Sequence, residues 1–119
     1  MTTISVEADV YSGLQNPVWD LEPAEAVRFL ALVAQLGSLD HAPAPAPITA
    51  GLGYRRLKIT MTTERGVQRI VVANGHVFFH PLHDEPPRQR SDDGRAFERW
   101  VLRTGKEALG EEMLNALLS

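Results

Sequence analysis

From Tyr54 to His80 the chain reads YRRLKITMTTERGVQRIVVANGHVFFH, and this stretch decides the fold. Leu57, Ile59 and Met61 alternate with Arg56, Lys58, Thr60 and Thr62, the period of two that marks a half-buried strand. Glu64-Arg65-Gly66 turns the chain, and Val67 to Ala73 runs back. Asn74-Gly75 comes next, two residues that tolerate the positive φ of a tight hairpin, so Val77 to His80 is expected to pair with Ile70 to Ala73. The stretch predicts a three-stranded antiparallel meander.

Upstream, Ile4, Val6, Ala8 and Val10 alternate with Ser5, Glu7, Asp9 and Tyr11, and this strand is expected to join the meander as a fourth. Two breaker pairs, Ser12-Gly13 and Asn16-Pro17, make Tyr11 to Trp19 a shaped loop. Pro23 suits the first turn of a helix, with Glu22 near the cap and Glu25 placed to meet the positive end of the helix dipole. That helix runs to Leu36 and stops at Gly37-Ser38. Glu25, Arg28 and Gln35 form a polar stripe on which Leu32 also falls, so Leu32 reads as a solitary surface leucine, with an exposed contact point as the alternative. The other positions from Ala26 to Leu36 are apolar, which predicts a mostly buried helix.

The Ala-Pro repeat within residues 41–50 lacks the N–H donors a sheet needs and reads as an extended spacer. Pro81 to Arg90, proline-rich and charged, reads as a loop. Ser91-Asp92-Asp93 offers caps for a helix through Arg103, with Phe97, Trp100, Val101 and Thr104 on one face. Thr104 and Glu107 have capping-box spacing ahead of a last helix with Leu109, Met113, Leu114 and Leu117 inward. The expected architecture is a single α+β domain over residues 1–119. It has an antiparallel sheet of about four strands and about three helices, packed mainly on one face.

Composition sets limits on the chemistry. With 119 residues and no cysteine, the chain has no disulfides, thiolate-held metal or thiol nucleophile, and it must be stabilised by an apolar core. The N-terminus does not read as a secretory signal, and the longest apolar run, Phe29 to Ala34, is far too short to span a bilayer. A cytoplasmic, non-membrane protein is expected. The net charge of −3 hides an uneven distribution. Residues 1–40 carry six acids against Arg28 alone, whereas residues 41–91 carry seven bases against Glu64, Asp84 and Glu85. The positive charge therefore gathers on the meander and its loops.

If Leu57, Ile59, Met61, Ile70, Val72, Val77 and Phe79 face the helices, then Arg56, Lys58, Arg69, Val71, His76, Phe78 and His80 face away. A face mixing cation, aromatic ring and imidazole suits a peptide or small molecule, and Phe78 also suits burial by a second copy in a homodimer. Nucleic acid is disfavoured, because the chain is acidic overall and has no aromatic-rich strand motif. His76, His80 and His83 lie within eight residues, followed by Asp84 and Glu85. On one strand His76 and His80 stand about 13 Å apart, too far for one ion. A zinc or non-haem iron site would therefore be built from His80, His83 and Asp84. The competing reading is ordinary histidines at a strand end, with no cofactor. Gly51-Leu52-Gly53 lacks the spacing of a phosphate loop, and no serine sits in a nucleophile-elbow context.

The segment Asp9 to Trp19, with the Pro23 helix and Leu52-Gly53-Tyr54, resembles a group of small uncharacterised bacterial proteins. The resemblance covers about half the chain and implies that Ser12, Gly13, Asn16, Pro17 and Trp19 form a defined loop. It carries no activity with it. Such a loop either anchors itself in the core through Trp19 or, with Ser12, Asn16 and Trp19, helps hold a ligand. The function expected is a non-catalytic binding or accessory protein that holds a peptide or small molecule on its sheet face and adjacent loops. A metal-dependent enzyme and an immunity- or antitoxin-like interaction module are the alternatives.

Overall fold

The computed structural model describes residues 2–10, 15–38, 56–80 and 87–118. Its frame is one antiparallel sheet built around the meander, β4 (Arg56–Thr63), β5 (Gly66–Ala73) and β6 (His76–Phe79), with β1 (Thr3–Asp9) beside β4. The register follows from the turns. Asn74 and Gly75 adopt φ of 49° and 81°, which sets Ala73 opposite His76 and Ile70 opposite Phe79. The His80 N–H donates to the Arg69 carbonyl at 2.9 Å and extends the pairing by one residue. A Cβ added at Gly75 would come no closer than 3.6 Å to the Asp92 carbonyl, so any penalty there comes from the backbone. Gly75→Ala is expected to cost about 1–2 kcal/mol in thermal unfolding, and an unchanged midpoint would show that the turn tolerates a side chain.

The sheet is wider than the expected four strands. Three short strands complete the order β2-β1-β4-β5-β6-β7-β3: β2 (Val18–Asp20), β3 (Gly37–Ser38) and β7 (Arg88–Ser91). β2 occupies the end of the expected Tyr11 to Trp19 loop, and β7 the end of the expected Pro81 to Arg90 loop. Both are held by backbone pairing to a longer neighbour and need no hydrophobic alternation of their own.

The helices are α1 (Pro23–Ala34), α2 (Ala96–Thr104), α3 (Lys106–Leu109) and α4 (Glu111–Leu118), with a 3₁₀ turn over Asp93–Arg95. Pro23 opens α1, where the Glu25 carboxylate accepts the Glu22 N–H at 2.8 Å. The expected last helix is two, broken at Gly110. The expected capping box at Thr104 is also absent, because its hydroxyl accepts from Trp19 Nε1 and donates to the Val101 carbonyl.

One core joins the layers. Ile4, Val6, Ala8, Leu57, Ile59, Ile70, Val72, Val77 and Phe79 project from the sheet against Phe29, Phe97, Val101, Leu102, Leu109, Leu114 and Leu117 of the helices. The Phe29 and Phe97 rings meet at 5.3 Å between centroids in a tilted pair. α1 is less buried than its composition predicts. Only Ala26 and Phe29 are fully buried, Val27 is 70% and Leu30 43% exposed, and Leu32 packs partly against the core. The reason is geometric: a helix lying on a single layer buries one side, and the stripe carrying Leu32 borders the neighbouring helix. Among the described residues no helix is long and apolar enough to cross a membrane. With the described helices packed into the one core, the other face of the sheet carries no helix among the described residues.

Candidate functional site

The helix-free face is organised by strand register. Side chains at directly paired positions point the same way, so one row crosses the sheet through Val18, Glu7, Lys58, Val71, Phe78 and Gln89. A second row runs through Asp20, Ser5, Thr60 and Arg69, with His80 beside Arg69. Where the rows pass each other they line a groove of about 480 Å³. Its walls include Ser5, Glu7, Val18, Arg56, Lys58, Thr60, Arg69, Val71 and His80. That volume falls within the range of small-molecule sites, roughly 300–1,000 Å³.

Positive charge dominates the groove. Lys58 opposes Val71 and Arg69 opposes Thr60, so the two cations are diagonal neighbours, about 7–8 Å apart at the backbone. Arg56 lies two residues from Lys58 on the same side of β4 and His80 ends the adjoining row. Two of the acids nearby, Asp9 and Glu7, hold partners, and Glu7 stands directly opposite Lys58. Asp9, buried and directly opposite Arg56, accepts from its Nε at 3.2 Å. Glu7 Oε2 accepts from Asn16 Nδ2 at 3.0 Å, while Asn16 Oδ1 accepts the Val10 N–H at 3.2 Å. Among the described residues neither Lys58 nor Arg69 forms a salt bridge or a side-chain hydrogen bond.

The candidates named from sequence therefore divide. Arg56, Lys58, Arg69 and His80 come together in the groove. His76 and Phe78 share its face further along β6, their rings stacked at 6.2 Å, with Gln89 Nε2 bonded to His76 Nδ1 at 3.1 Å. Asn16 stands at the rim, where it positions Glu7. Trp19 is not part of this face. It opposes Val6 on the core side, where Nε1 donates to Thr104 Oγ1 at 2.9 Å, so it anchors β2 to the helix layer. Ser12, His83 and Asp84 lie outside the described residues. Among the described residues no three histidine, aspartate or glutamate side chains converge as a metal site would need.

Ser5, Glu7, Val18 and Thr60 also line the groove and were not among the candidates. Alternation placed Ser5, Glu7 and Thr60 on the polar sides of their strands. Their convergence with Arg69 depends on β1 pairing with β4 at one particular register, which no local pattern encodes.

Comparison with known proteins adds no relative. The chain matches no family model, and no curated protein or solved structure matches it at a significant level. The geometry of the groove is what bears on function.

Proposed function

We propose that this protein is a non-catalytic binding or accessory protein that holds an anionic peptide or small molecule in the groove of its helix-free sheet face. The observation that carries this reading is the pair Lys58 and Arg69, adjacent, exposed and, among the described residues, in no salt bridge, beside Arg56 and His80, with Glu7 opposite Lys58 as the one acid among the described residues that line the groove. Like charges held side by side repel each other, and a bound anion removes that cost while gaining charge-assisted hydrogen bonds. Val71 and Val18 give the groove an apolar floor and end, while Thr60 and Ser5 add hydroxyls. This mixture of a few convergent polar groups on apolar surface suits an extended acidic peptide or a compact polycarboxylate.

The test uses a fluorescein-labelled hexaglutamate peptide and the full chain, read by anisotropy. Reversal of both cations, Lys58→Glu with Arg69→Glu, is expected to weaken binding by at least about tenfold. Both side chains are exposed, so unfolding should stay within about 1 kcal/mol of the parent, most of it from the carboxylate newly placed opposite Glu7. Arg56→Glu is a poor substitute because it would strand the buried Asp9. Equal affinity of parent and double variant would remove the sheet groove from consideration.

A further inference from the structure

A second groove lies on the opposite side of the molecule, between α1 and α2. It encloses about 410 Å³. Gly37 pairs with Ser91 at one end, and Phe29 meets Phe97 further along, so the two helices run in opposite directions along it. The middle is apolar: Leu32 and Leu36 from α1 and the segment after it, Phe97 and Trp100 from α2. Arg28, midway along α1, and Arg103, late in α2, are the lining residues furthest from the Gly37–Ser91 pair, whereas Asp92 and Asp93 lie beside it. Among the described residues neither arginine forms a salt bridge or a side-chain hydrogen bond. The polar stripe of α1 is thus one wall of a groove rather than a plain solvated surface.

We infer that this groove binds a small carboxylate with an apolar, aromatic body. The carboxylate sits between the Arg28 and Arg103 guanidiniums, and the body lies against Trp100 and Leu32. An arginine presents a planar fork of donors that matches a carboxylate, and two arginines at one end of an apolar cleft give it the complementary charge. The indole of Trp100, half-buried, offers a face for offset stacking. The volume holds a two-ring molecule.

The probe is 2-naphthoate, with 2-naphthylmethanol as its uncharged twin, titrated into the ¹⁵N-labelled full chain. The molecule has two indoles in different places, so each binding event reports its position. Naphthoate is expected to shift the Trp100 indole N–H and leave that of Trp19 in place. Arg28→Glu with Arg103→Glu should weaken naphthoate by about tenfold or more and change the alcohol by less than about twofold. Should that pair lose the parent's amide dispersion, Arg28→Gln with Arg103→Gln carries the same comparison. Lys58→Glu with Arg69→Glu should leave naphthoate binding intact, which separates this site from the sheet groove. A static Trp100 resonance, equal shifts at both indoles, or equal losses of acid and alcohol would each overturn the assignment.

Discussion

Asp92→Ala is expected to lower the unfolding free energy by about 2–4 kcal/mol, through loss of a cap and of two charge-assisted hydrogen bonds. Asp92 is only 3% exposed, and both carboxylate oxygens are committed: Oδ1 accepts the Phe97 N–H at 2.7 Å and Oδ2 the Glu98 N–H at 2.9 Å. These are first-turn donors of α2, with no acceptor inside the helix. Their residues are buried, so water does not readily replace the carboxylate. Asp92 also donates its own N–H to the Gly75 carbonyl at 2.8 Å, and its carbonyl accepts from Arg95 N–H. One residue therefore ties the start of α2 to the Asn74-Gly75 turn. Asp92→Asn keeps one acceptor and should fall between alanine and the parent. Urea titration checks this: the midpoint should drop in the order parent, Asn, Ala at constant slope. An alanine variant within about 0.5 kcal/mol of the parent would mean that the cap is dispensable.

The cap shows what a local pattern can and cannot carry. Ser91-Asp92-Asp93 marked the start of α2, but Asp92 reaches donors five and six residues ahead. It does so because Gly94 and Arg95 adopt φ of 64° and 58° in the intervening turn. Arg95 then turns its guanidinium onto the buried Glu98, its Nε 3.2 Å from Oε2. That pairing answers the burial of a carboxylate on the inner side of α2, a placement the sequence pattern did not indicate. The meander was readable because each pairing there is set by a turn of a few residues. Strands β2, β3 and β7 were not, since three, two and four residues leave too short a run for alternation to register.

The cationic face followed the same division. Alternation alone separated Lys58 and Arg69 from Ile59 and Ile70, so the cationic side of the meander was visible from the residues. The groove was not, because it needs Ser5 and Glu7 beside Thr60 and Lys58, a pairing across more than fifty residues of chain. The groove between α1 and α2 was hidden for a related reason. Leu32 looked like a lone surface leucine until Trp100 and Phe97 were set opposite it by the packing of the two helices. Charge counting located the first site and missed the second, where Arg28 sits within the acidic N-terminal third.

Gly105→Ala is expected to destabilise the protein by about 2–3 kcal/mol, against the usual gain from replacing glycine next to a helix. The backbone there is ordinary, with φ of −97°, and alanine would adopt it without strain. What opposes the change is Trp19: a Cβ at position 105 would stand 2.7 Å from the indole Cδ2 and closer still to Cε2 and Cζ2. The ring cannot easily retreat, because Nε1 is bonded to Thr104 Oγ1 and the side chain packs partly against the core. Trp19→Leu removes the ring and should itself cost about 2–4 kcal/mol through lost packing and the lost hydrogen bond to the Thr104 hydroxyl. In that background Gly105→Ala should be neutral or stabilising by up to about 1 kcal/mol. A double-mutant cycle measured by urea unfolding should therefore show a coupling of about 2 kcal/mol or more. Simple additivity would mean that something other than the indole requires glycine at 105. The coupling, if found, fixes the role of the Trp19 loop. An edge strand of three residues has little pairing of its own, and contact between Trp19 and the α2–α3 junction holds it in the sheet. Trp19 then acts from the core side, and the opposite side of β2 remains free to form the end of the cationic groove through Val18.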